Sequence, residues 1–138
     1  MSSSDQSGAD EVGIIFNEQK IKVSGREVTV REFDFFTGLQ VSSLAQPLID
    51  DLADALRESN EGDIGMSVLE RVFAEHFNIL KTLIIKASDI ENIKDLDNLN
   101  DADGQLLLKV FWTVNSHFFI SRLQTRSLEK SNIERALR

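Results

Sequence analysis

The sequence predicts a mainly α fold: a helical bundle of about four to five helices with a short N-terminal β-hairpin. Two observations lead there. Apolar residues recur at helical spacing through most of the chain after residue 33, whereas alternation of apolar and polar residues is confined to one early stretch, IKVSGREVTV. Candidate helix starts, a polar capping residue or a proline, precede the apolar runs. The length of 138 residues suits a single modest core. Residues 1–12, rich in Ser, Asp and Gly, read as a disordered tail; 13–124 form one helical domain; 125–138 form a basic C-terminal tail.

The hairpin comes first. Ile21 and Val23 alternate with Lys20 and Lys22, and Val28 and Val30 alternate with Glu27 and Thr29. Ser24-Gly25 lies between them, where glycine supplies the positive φ of a tight turn. GIIF, at 13–16, is a candidate third strand. Two strands alone are barely stable in water, so the hairpin must lean on helices.

Thr29 and Glu32 have the spacing of a capping box, predicting a helix whose apolar side holds Phe33, Phe36 and Leu39. Pro47 fits the first turn of a second helix, PLIDDLADALRES, with Leu48, Leu52, Ala55 and Leu56 along one face. Asp50, Asp51, Asp54 and Glu58 lie mostly off that face, as a candidate surface for basic partners or an ordinary solvated face. NEGDIG breaks the pattern. Ser67 and Glu70 open the strongest helix, SVLERVFAEHFNILKTLIIKA, and Ser88 with Glu91 opens a short piece. A final helix is predicted from about Ala102 to Gln124.

Composition narrows the function classes. A net charge of −8 repels phosphate backbones, so no nucleic acid is expected as a partner. No apolar run approaches the roughly 18 residues of a membrane span, and the N-terminus lacks the pattern of a signal peptide. The absence of cysteine fits a reducing cytoplasm. Basic residues gather at the end, where Arg122, Arg126, Lys130, Arg135 and Arg138 face only Glu129 and Glu134. Arg122 and Arg126 are therefore candidate partner contacts, or simply cations favoured at a helix C-terminus.

Nothing marks catalysis, and no cofactor is implied. Placing Gly104 of DADG at the sixth position of a calcium loop puts Leu99 first and Val110 twelfth, and neither can bind a hard cation. His76 and His117 stand alone, with no HExxH and no cysteine beside them. His76 falls between Val72 and Phe73 on an apolar arc and reads as a neutral core histidine; His117 projects to a polar side.

FWTVNSHFF, residues 111–119, poses a sharper question. On a helical wheel Leu107, Leu108, Phe111, Trp112, Phe118 and Phe119 fill one arc, and Asn115 falls near its middle. A buried amide without partners costs about 1–3 kcal/mol, so Asn115 needs a partner there. Either it is a core asparagine that fixes the register of packed helices, bonding a backbone carbonyl or His76, or the aromatics form a recognition groove. A closed bundle is the expectation.

The stretches GREVTVREF, at 25–33, and Leu107–Phe119, bearing Trp112, Asn115, Phe118 and Phe119, resemble the tail assembly chaperones of long-tailed bacteriophages and prophages. The intervening acidic helices match in length and character, so the likeness spans roughly 18–123. The resemblance implies a small helical, non-enzymatic protein of the host cytoplasm. Such proteins bind the tape-measure protein and keep it soluble until tail-tube subunits polymerise around it. Many are made in two lengths by a ribosomal frameshift, the longer form recruiting the tail-tube protein. Several copies on one extended client make a homo-oligomer plausible. Two other readings fit the charge: an acidic adaptor binding through its basic tail, and a DNA-mimicking inhibitor with a continuous carboxylate stripe.

Overall fold

A computed structural model of the chain describes residues 17–59 and 65–137. It is mainly α with a short antiparallel hairpin, as the pattern predicts. The tail at 1–12, the GIIF strand and most of NEGDIG lie outside the described residues. Strand β1 (Glu18–Val23) pairs with β2 (Arg26–Arg31), in register from Glu18 opposite Arg31 to Val23 opposite Arg26. Ser24 and Gly25 turn the chain with φ of 55° and 76°. Two successive left-handed residues give the twist that a two-residue hairpin loop requires.

The helices are α1 (Phe35–Leu44), α2 (Gln46–Glu58), α3 (Met66–Glu75), α4 (Phe77–Ala87), α5 (Lys94–Asp97) and α6 (Asp101–Ala136). They enclose one core in which Leu48 and Leu52 of α2, Phe73 of α3, Leu83 of α4 and Leu107, Phe111, Phe119 and Leu123 of α6 are almost fully buried. The hairpin lies along α6. At its tip the Ser24 N–H donates to Asp103 Oδ2 at 2.9 Å, and Arg26 pairs with Asp95 at 3.2 Å. From Asp103 to Asn115 the helix rises about 18 Å. From Ser24 to Arg31 the strand covers about 23 Å. Strand and helix therefore run side by side over nearly their shared length.

Strand β2 is covered on both sides, which alternation alone does not predict: Val28, Thr29 and Val30 are all buried. The chain leaving α4 crosses its outer edge. Ser88 bridges Val30, the Thr29 N–H donates to Asp89 Oδ1 at 3.1 Å, and the Asp89 N–H donates to the Thr29 carbonyl at 3.2 Å.

Four local expectations are corrected. Thr29 sits within β2, so it caps nothing; Asp34 caps α1, accepting from the Thr37 N–H at 2.8 Å. The helix expected from Ser67 to Ala87 breaks at His76, whose φ of −123° and ψ of 37° leave the helical region. The break lets α3 pack on α2 while α4 turns toward α1 and β2, two sets of neighbours that one straight helix would not serve. Neither Ser67 nor Ser88 opens a capping box. Gly65 is the N-cap of α3 without a side-chain bond, and Ser88 ends α4 in extended conformation. The last helix does not stop near Gln124 but continues to Ala136, so the basic segment at 125–136 is helix and not a tail.

That extension has a sequence basis. Beyond Gly104 the helix contains no glycine or proline to end it. Pairing with α2 supports it further, through Arg126 Nε to Asp50 Oδ1 at 2.7 Å and Arg57 Nη2 to Glu134 Oε2 at 3.6 Å. Asn100 caps its start, accepting from the Asp103 N–H at 2.8 Å.

Gly25 supplies a clean test of the hairpin, because a Cβ there meets nothing within 4 Å and only backbone strain is added. Gly25→Val is expected to cost about 1–2 kcal/mol in urea unfolding, and Gly25→Asn, which tolerates left-handed backbone, much less.

Candidate functional site

Asn115 is completely buried and fully engaged. Its Oδ1 accepts from the Phe33 N–H at 3.0 Å; its Nδ2 donates to the Arg31 carbonyl at 3.2 Å and the Phe111 carbonyl at 3.4 Å. The residues that carry the two distinctive sequence stretches, 82 positions apart, meet in this one clamp. Its partners are the backbone at the strand-to-helix corner, not His76.

The aromatics close around that corner. Phe33 meets Phe111, Phe118 and Phe119 edge-on with ring centroids 6.2, 5.1 and 6.4 Å apart. Trp112 stacks on Phe119 at 5.5 Å and meets Phe73 edge-on at 6.1 Å. Phe119 is fully buried, while Trp112 and Phe118 are half-buried. The FWTVNSHFF stripe is thus covered core, as the closed-bundle expectation had it.

His76 is not a core histidine. It marks the α3–α4 break, half-buried, with Nε2 2.6 Å from Asp51 Oδ2. A helical wheel misplaces it because the helix does not continue through it. The acidic face of α2 is likewise engaged within the fold. Asp50 accepts from Arg126 and Gln46, Asp51 meets His76, and Asp54 is half-buried and partnered, leaving Glu58 exposed at the helix end. The Asp50 carboxylate holds the Arg126 guanidinium above its ordinary value. Arg122 lies elsewhere, its guanidinium 3.7 Å over the Phe118 ring and its Nε donating to Ser42 Oγ at 2.7 Å. Asp50 and Arg126, read as separate contacts for outside partners, therefore bind each other.

The surface that sequence reasoning missed is on α1. Gly38, Val41 and Ala45 face inward, and a Cβ on Gly38 would stand 3.0 Å from Phe118 Cε1. Glycine allows this close seating. On the opposite side Phe35, Phe36 and Leu39 are 71%, 74% and 50% exposed, with the two phenyl rings edge-on at 5.2 Å. The signal was present: FFTGLQVSSLAQ carries no charge. An uncharged helix that leaves large apolar side chains together in solvent is unusual on a protein surface. Chemically this is a surface for apolar side chains. Among the described residues no group of three or more His, Asp or Glu could hold a metal ion, and no helix is long and apolar enough to cross a membrane.

Two measurements test this geometry. Asn115→Ala leaves the buried Phe33 N–H and the part-buried Arg31 carbonyl without their Asn115 bonds and is expected to cost about 2–4 kcal/mol in chemical unfolding. Asn115→Asp should be better tolerated at pH 4 than at pH 7. A protonated carboxyl can still accept from Phe33 and donate to a carbonyl, whereas burial penalises the ionised form. The second concerns the α1 cap, where bonds from the Thr37 N–H and hydroxyl and the Phe36 N–H hold the Asp34 carboxyl below its ordinary value. That bonding stabilises the fold above the unfolded carboxyl value and is lost as pH falls through the lower folded value. Asp34→Ala should therefore lower Tm at neutral pH, the difference from the parent closing in strong acid, while Asp34→Asn should keep the cap.

Residues 11–137 match DUF6631, a family of unknown function. No curated protein and no solved structure matches the chain. The family match takes in the hairpin, the Asn115 clamp and all of α6, so the chain belongs to DUF6631.

Proposed function

We propose that this protein is a non-enzymatic tail assembly chaperone of the long-tailed phage type, acting in the host cytoplasm. It binds apolar segments of a tape-measure protein and keeps that protein soluble until tail-tube protein assembles around it. The observation that carries this reading is the exposed face of Phe35, Phe36 and Leu39 on a helix whose other side is already packed. The likeness of GREVTVREF and FWTVNSHFF to such chaperones supports it, as does the joining of both stretches at Asn115. The net charge of −8 would keep a complex with an apolar client dispersed. A self-associated form, several copies along one client, belongs to the same reading.

The adaptor reading loses its free basic tail, because Arg126 and Arg57 tie the end of α6 to α2. A carboxylate stripe for DNA mimicry is interrupted where Asp50 and Asp51 meet Arg126 and His76.

Co-expression with the tape-measure protein of a phage or prophage carrying this gene tests the proposal. The wild type should raise the soluble fraction of the client and co-elute with it. The double variant Phe35→Ser, Phe36→Ser should lose both effects while keeping its Tm within a few degrees, since exposed positions contribute little to folding. A client equally soluble with either variant would sink the reading.

A further inference from the structure

The apolar face of α1 adjoins a second feature. An open groove of about 460 Å³ lies between the α1–α2 corner and α6, lined by Ser42, Ile49, Ser121, Arg122, Thr125 and Arg126, with Glu129 also on its wall. Ser42 stands three residues beyond Leu39, less than one helical turn, so the face and the groove are contiguous. Close to Gly38, the Arg122 Nη2 lies 3.9 Å from where a Cβ would be.

The two arginines of the groove differ in state. Arg126 is neutralised by Asp50 at 2.7 Å and Glu129 at 3.7 Å. Arg122 makes no ion pair among the described residues. Its Nε donates to Ser42 Oγ, its Nη1 donates to the Phe118 carbonyl at 3.1 Å, and its plane covers the Phe118 ring. Those contacts fix the fork in place and leave the Nη2 donors without an acceptor among the described residues. Burial lowers the guanidinium from its ordinary value with no carboxylate to offset the loss of water. A rigid, partly desolvated guanidinium is well suited to receive a carboxylate oxygen on its open Nη2 through a charge-assisted hydrogen bond.

We propose that the α1 face and the Arg122 groove form one docking site for an amphipathic segment of a partner protein, with apolar side chains on Phe35, Phe36 and Leu39 and an Asp or Glu carboxylate on Arg122. Charge complementarity selects this occupant, since Arg122, beside the apolar face, carries a charge that no carboxylate among the described residues meets. The inference rests on the client-binding reading and gives that site its chemistry.

Two fluorescein-labelled helical peptides serve as probes, identical amphipathic sequences except for Glu or Gln at the edge of the apolar face. Anisotropy with the full chain should show the Glu peptide binding about tenfold tighter, the scale of one charge-assisted hydrogen bond. Arg122→Gln should remove that preference, so that the two peptides bind alike. Arg122→Lys, which keeps the charge and loses the fork, should retain part of it. Phe36→Ser, at an exposed position that does not endanger folding, should weaken both peptides alike. Equal binding of the two peptides, no binding of either at about 1 mM, or a Glu preference that survives Arg122→Gln overturns the proposal. So does a dimer of the protein that is lost in Phe36→Ser while neither peptide binds, which would assign the face to a second copy. Tape-measure solubility measured with Arg122→Gln separates the two ideas: if the client stays soluble while the peptide preference was never present, the chaperone reading survives and the carboxylate site falls.

Discussion

Asn115 reaches from the middle of a long helix to the backbone where a strand becomes another helix, and the arrangement of the domain hangs on that reach. Between the end of β2 at Arg31 and the start of α1 at Phe35, the chain leaves the ladder before the helix begins. Its peptide groups need partners when buried. The Glu32 N–H finds the Asn17 carbonyl at 2.9 Å, while the Phe33 N–H and the Arg31 carbonyl find Asn115. A leucine would fill similar space and satisfy none of them. The joint fixes how the hairpin lies on α6 and the direction in which the chain enters α1. Phe33 is then inserted among Phe111, Phe118 and Phe119, and the two residues after Asp34 are turned toward solvent.

Charge is arranged around the same frame. Asp50 of the acidic α2 pairs with Arg126 near the end of α6, and Arg57 of α2 pairs in the reverse sense with Glu134. Each such exposed or half-exposed pair adds little by itself, on the order of 0–1 kcal/mol. Their effect is to hold a 36-residue helix alongside α2 well past the aromatic core. Arg122 departs from this pattern. It sits between the paired region and the aromatic core, stacked on Phe118 and without an ion pair among the described residues, next to the apolar face of α1.

Elements set by local rules were legible in the sequence. The Ser24-Gly25 turn, the Pro47 helix start and the buried Asn115 follow from backbone geometry, a missing donor and the cost of an unpaired amide. Positions settled by distant partners were not. His76 looked like core because the wheel assumes a straight helix, and the bend that removes it follows from what α3 and α4 each pack against. The end of α6 looked like a tail because its support comes from α2, some 75 residues away. Thr29 looked like a cap because its local spacing resembles one, yet β2 and the Asp89 segment claim it first. The Phe35–Phe36 surface was not legible because apolar and small polar residues are mixed around α1, and a helix without charge gives no clue to which side is covered.

Native-state hydrogen exchange at the Phe33 amide tests the joint directly. Phe33 lies outside every regular element, so without Asn115 its amide would exchange through local opening. If the clamp organises the domain, that amide exchanges only with global unfolding, at the same free energy as the slowest amides of α6. An amide at Phe33 that exchanges as fast as those of exposed loops, while the core of α6 stays protected, would contradict the account.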